Sequence, residues 1–75
     1  MDHAARVARL QGKLKRPLLV ASLANIRYLT GFSGSFAFVV VGPQSFAFIT
    51  DGRYGESAAP LVDVIAGADL IIHSG

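Results

Sequence analysis

Two polar, glycine-bearing stretches interrupt an otherwise apolar chain and hold most of its reactive side chains: NIRYLTGFSGS (25–35) and TDGRYGES (50–57). Ser33 in GFSGS sits where a nucleophile elbow, Gly-x-Ser-x-Gly, would place its serine. Ser35 stands in place of the second glycine, however, and His73 is the one downstream histidine. The stretch also lacks the glycine spacing and following lysine of a phosphate loop. A turn whose glycines serve backbone geometry is the expected reading. In TDGRY, Asp51 is expected to cap a helix and hold the Arg53 guanidinium, Gly52 to let the chain turn out of a strand, and Tyr54 to pack against the sheet end. The functional alternative turns Arg53 outward to receive a carboxylate. Asp51 and Glu56 can approach each other where this helix starts, but a metal needs another carboxylate or a histidine beside them. His3 and His73 lie at opposite chain ends and there is no cysteine, so no metal site is expected within these residues.

The elements that must position these stretches follow from hydrophobic period and punctuation. A helix is predicted over 2–15, with Asp2 as cap and Ala5, Val7, Ala8, Leu10 and Leu14 on one stripe. Pro17 stops it. PLLVAS (17–22) reads as a short buried strand, and 22–29 as a short helix or turn capped by Ser22 or Asn25 and ended by Gly31. FAFVVVG (36–42) and SFAFIT (45–50), joined through Gly-Pro-Gln, are predicted to pair as an antiparallel hairpin. Both alternating sets of the first strand are apolar, so it is expected to be covered on both faces. After Asp51, Tyr54, Ala58, Leu61, Val62 and Ile65 form a helical stripe running to Gly67, with a kink or break near Ala59 caused by Pro60. ADLIIHS (68–74) is a fourth strand. The order α-β-α-β-β-α-β gives a mixed sheet flanked by helices, in which two main helices supply only part of the cover that four strands need. An apolar final strand leaves an edge to pair or a continuation to receive.

Seventy-five residues make one small domain, without a disulfide to staple it. Apolar residues make up 52% of the chain, which for this size points to a partner for some of that surface. The net charge of +2 arises largely from Arg6, Arg9, Lys13, Lys15 and Arg16. At helical spacing these read as the solvated side of an amphipathic helix, with no interleaved aromatic platform, so nucleic acid is not an expected partner. No run of about 18 apolar residues exists, which excludes a helical membrane span, and nothing at the N-terminus reads as a secretory signal. A cytoplasmic protein is expected.

The two stretches around a hairpin resemble the N-terminal domain of the creatinase, prolidase and aminopeptidase P family, the Xaa-Pro peptidases. The likeness runs from RVARLQGKL through PLLVASLANIRYLTGFSGS to TDGRY, nearly the whole chain. It implies a ribonuclease-H-like α/β fold, incomplete at the C-terminus, with residues 1–75 a single partial N-terminal domain and Gly75 a truncation point. The resemblance places hydrolysis in a following pita-bread domain, absent from this sequence, where two Asp, one His and two Glu hold two divalent ions (manganese, cobalt or zinc). No catalytic residue and no cofactor is therefore expected in this chain. The implied partners are its own C-terminal catalytic domain, further copies in a dimer or larger homo-oligomer, and a proline-containing peptide. Phe32, Ser33, Gly34 and Ser35, with Arg53 and Tyr54, would border the active-site mouth, while Asn25, Tyr28, Gly31, Asp51 and Gly52 would shape the motif. The alternatives are a stand-alone dimerisation module and the N-terminal domain of a creatinase-like amidinohydrolase. Pro60 departs from the family pattern.

Overall fold

The computed structural model describes residues 2–73. Helix α1 (His3–Lys13) is capped by Asp2, whose side chain accepts from the Ala5 amide at 3.0 Å. It stops two residues short of the predicted end. Leu14 is already extended, and the residue ahead of Pro17 is biased away from helical geometry. Ala8, placed on the apolar stripe, is exposed, whereas Val7 is fully buried. Strand β1 (Leu18–Val20) leads to α2 (Leu23–Thr30), capped by Ser22 through the Asn25 amide and closed by Gly31 at φ 83°. Asn25 thus lies inside the helix and Ser22 is its cap.

Strands β2 (Ala37–Val41) and β3 (Phe46–Asp51) form the antiparallel hairpin, with Phe38 opposite Ile49 and Val41 opposite Phe46. One 3₁₀ turn (Gly52–Tyr54) then opens α3 (Gly55–Asp63). The break predicted near Ala59 is not found. Pro60 lies inside a single helix, which ends at Asp63 rather than reaching Gly67. Proline removes the amide that would pair with the Glu56 carbonyl, but Glu56 and Pro60 are both exposed, so the lost bond lies on the solvent side of the helix. Gly67, at φ 69°, belongs to the turn into β4 (Ala68–His73). Ser74, placed at the end of this strand by its sequence, and Gly75 lie outside the described residues.

The sheet order is β1-β2-β3-β4, antiparallel except for the parallel β3–β4 pair. Ala37, Val39 and Val41 of β2, Phe46 and Phe48 of β3, and Val20 of β1 share one face. That face packs on Val7, Ile26, Leu29, Ala58, Val62 and Ile65 of the helical layer in one continuous core. The opposite face is open. Phe38 is 38% exposed, Leu19 63% and Ile71 47%, so the expectation that β2 is covered on both sides fails. The core is a two-layer one, because the helices crowd onto a single face of the sheet.

Candidate functional site

The turn at 32–35 starts where α2 ends. The Gly31 amide donates to the Arg27 carbonyl at 2.8 Å, and the left-handed backbone at Gly31 favours glycine. The His3 ring lies against Gly31, so that a Cβ there would sit 3.0 Å from Nε2. Thr30, almost fully buried, ties the exit: its hydroxyl donates to the Ile26 carbonyl at 2.8 Å and accepts from the Phe32 amide at 3.1 Å. Phe32 plunges into the core and meets Phe48 and Tyr54 edge-on, at centroid distances of 5.0 and 5.4 Å. Gly34 passes so close to these rings that a Cβ would overlap Phe32 Cζ and stand 3.0 Å from Tyr54 Cδ1. The close approach of the turn to these rings thus needs glycine at position 34.

The second stretch closes on the first. Ser35 Oγ and Tyr54 Oη lie 2.6 Å apart, and this hydrogen bond lowers the Tyr54 pKa by stabilising the phenolate. Asp51 caps the 3₁₀ turn through the Arg53 amide at 3.0 Å. Its Oδ2 also accepts from Arg53 Nε at 3.1 Å and Nη2 at 2.7 Å. The guanidinium holds the Asp51 carboxyl below its ordinary value, and the carboxylate raises Arg53 in return. Arg53 therefore turns toward Asp51 and also lies 5.2 Å from the Tyr54 ring centroid. Gly52 has no positive φ, and a Cβ there would meet nothing within 4 Å, so the backbone does not require glycine at that position. Tyr28 is apart from this cluster: it is 58% exposed and carries Arg6 over its ring at 4.1 Å, while Arg6 Nη1 donates to its carbonyl at 2.7 Å.

Two open clefts flank the turn and share Phe32 to Ser35. The first, of about 390 Å³, adds Tyr54, Ser57 and Leu61; the second, of about 360 Å³, adds Leu23, Ala24 and Arg27. Asn25 and Tyr28 line neither of them. Four contributors had no signal that singled them out in the sequence. Thr30 and Thr50 are buried hydroxyls that fasten the two stretches, Thr50 through the Phe36 carbonyl at 2.6 Å. Ser57 donates to the Tyr54 carbonyl at 3.1 Å, and Leu23 forms an apolar wall. A polar residue next to a Gly or Asp turn would have been a clue for the threonines.

Chemically the site offers hydroxyls, one cation and apolar walls. No histidine or carboxylate lines either cleft, so Ser33 has no base beside it there. Among the described residues no group of three or more His, Asp or Glu could hold a metal ion, so these residues do not fit a two-metal centre.

Residues 6–70 match the creatinase/prolidase N-terminal domain family, and the chain belongs to that family. It is 43% identical over 58 residues to the uncharacterized peptidase YqhT of Bacillus subtilis, an alignment covering 77% of this chain and 16% of that protein. The N-terminal domain of the cytoplasmic peptidase PepQ of Mycobacterium tuberculosis superposes with a TM-score of 0.78 at 30% identity, over 93% of this chain and 56% of that one. A Xaa-Pro aminopeptidase of Streptococcus pyogenes gives 0.72 at 35% identity, over 95% of this chain and 54% of that one. A Xaa-Pro dipeptidase of Bacillus anthracis shares the fold, with a TM-score of 0.82 at 24% identity, over 99% of this chain and 21% of that one. The mixed α/β sheet with its helices is thus the fold of creatinase/prolidase N-terminal domains.

Proposed function

We propose that these residues are the non-catalytic N-terminal domain, in whole or part, of a metal-dependent Xaa-Pro peptidase, and that the Phe32–Ser35 turn borders the mouth of an active site built by a separate catalytic domain. The observation that carries this reading is the turn itself. It is fastened by Phe32 and Gly34, yet it presents exposed Ser33 and Ser35 to two open clefts that contain no catalytic base. A rigid rim without its own chemistry is suited to limiting what reaches chemistry elsewhere. The names of the relatives, an Xaa-Pro dipeptidase and an Xaa-Pro aminopeptidase among them, support a proline-containing peptide as substrate. The small share of YqhT that the chain spans supports a catalytic domain in the same polypeptide, and on this proposal that domain holds two divalent ions. Cytoplasmic location follows the description of the PepQ relative. Assembly into a homo-oligomer would bring the rim of one subunit to the mouth of another.

The test compares the 75-residue chain with the gene product purified from its own cells. The gene product is expected to release the N-terminal residue of an Xaa-Pro peptide in a chelator-sensitive way, and the chain alone to release none with manganese or cobalt. Metal-dependent release by the pure chain would sink the reading.

One observation favours a second reading, an interaction module that pairs with itself. The open face of the sheet is largely apolar, with Leu19, Phe38 and Ile71 exposed. A 75-residue species in native cells that dimerises in a concentration-dependent way would decide for it.

A further inference from the structure

The charges of this chain are divided along its length. Every lysine and arginine except Arg53 lies between residues 3 and 50, and no aspartate or glutamate does. The fold gathers part of this cationic run beside an apolar crease away from the Phe32–Ser35 turn. Two clefts, of about 200 and about 210 Å³, meet over Leu10, Tyr28 and Leu29, which line both. The first runs on to Leu18 and Val20 of β1, the second to Arg6, Arg9 and Lys13 of α1. Leu18 is 42% exposed at the rim, while Leu29, 7% exposed, lies at the bottom. Arg6 is held by the carbonyl and ring of Tyr28. Arg9 and Lys13 are exposed, and none of the described residues forms an ion pair or side-chain hydrogen bond with either.

We propose that the crease between α1, α2 and β1 docks an acidic, amphipathic segment of a partner protein, with its carboxylates on Arg9 and Lys13 and a bulky apolar side chain among Leu10, Leu18 and Leu29. The proposal goes beyond the peptidase reading and does not depend on it. Arg6, Arg9 and Lys13 stand at i, i+3 and i+7, so they form one row along α1, which carboxylates at the same spacing on a second helix would match. No acid lines either cleft to compete for these cations. Surface ion pairs contribute little by themselves, so the complex needs the apolar contact as well as the charge. Nucleic acid would satisfy the cations and leave the leucines in water. A bilayer is flat and would not reach Leu29. A rival account is that Arg9 and Lys13 only keep α1 solvated, which predicts no saturable binding.

The experiment measures, by fluorescence anisotropy, the binding of a fluorescein-labelled helical peptide with Glu at i, i+3 and i+7 and Leu at i+4 to the gene product from its own cells. Two control peptides replace the Glu by Gln, or the Leu by Ser. Each control is expected to bind about tenfold more weakly. Raising the salt from about 0.1 M to about 1 M should weaken the acidic peptide far more than the Gln control. The variant carrying Arg9→Glu and Lys13→Glu is expected to lose the acidic peptide and to accept one with Lys in place of Glu. Both residues are exposed, and a thermal melt checks that the variant folds. No saturable binding by the wild type, or equal binding of the acidic peptide and either control, would overturn the proposal without recourse to any variant. Binding to phosphatidylserine vesicles or to single-stranded RNA in place of the peptide would assign the face to lipid or nucleic acid and overturn it too.

Discussion

The two sides of the Phe32–Ser35 turn differ in how far their groups satisfy one another. On the Tyr54 side, Phe32, Tyr54, Ser35, Asp51 and Arg53 form a chain of ring contacts, hydrogen bonds and one ion pair. On the Arg27 side the same turn faces a cation with no partner among the described residues and a partly exposed leucine. One side holds the turn in place and the other leaves its cation without a partner among the described residues. Structural motifs consume their own polar groups, whereas a binding surface keeps some in reserve.

Breaking the fastened side should cost the most stability. Phe32→Ala removes a 3%-exposed ring from between Phe48 and Tyr54, and a loss of about 3–5 kcal/mol is expected in urea denaturation of the gene product. A loss below about 1 kcal/mol would mean that the turn is not held by this ring. Gly34→Ala comes next. Its Cβ would press on a Phe32 ring that Phe48 and Tyr54 keep from moving, and overpacking of this kind costs about 1–3 kcal/mol. An unchanged urea midpoint would show that the turn can shift freely.

The ion pair gives a smaller effect with a defined sign. Asp51 is depressed in the fold by Arg53, so its contribution is fully present above its ordinary value of 3.8 and fades as the pH falls through the lower folded value. Melting temperature should therefore drop more steeply below about pH 4 in the wild type than in Asp51→Asn, with the difference shrinking in high salt because Arg53 is 71% exposed. Parallel acid limbs in the two proteins would contradict it. On the reserved side, Arg27→Ala should change stability by no more than about 0.5 kcal/mol, and a larger loss would make Arg27 part of the fastening.

Much of this was legible in the sequence, and the gaps have physical causes. Periodicity and capping residues give the element order, the Asp2 cap, the left-handed Gly31 and the Asp51–Arg53 pair, because each is decided by neighbours a few residues away. The break allowed for at Pro60 is absent, and α3 runs through it as one helix, because the lost bond lies between two exposed residues, which is a matter of the helix's placement on the sheet. The apolar alternation of β2 suggested two covered faces, but hydrophobicity does not reveal which face the helices choose. Arg27 and Arg53 were equivalent as residue types. The sequence paired Arg53 with Asp51, whereas only the fold places Arg27 on the wall of a cleft.

The central claim is that the turn forms the rim of an active site it does not itself contain. It is tested most directly by Ser33→Trp, which places a bulky ring on an exposed position of the turn, measured as kcat/KM of the gene product on an Xaa-Pro dipeptide and on a longer Xaa-Pro peptide. The account predicts an altered ratio between the two substrates at an unchanged melting temperature. A ratio identical to the wild type, with the variant folded and active, would show that the turn lies away from the substrate path.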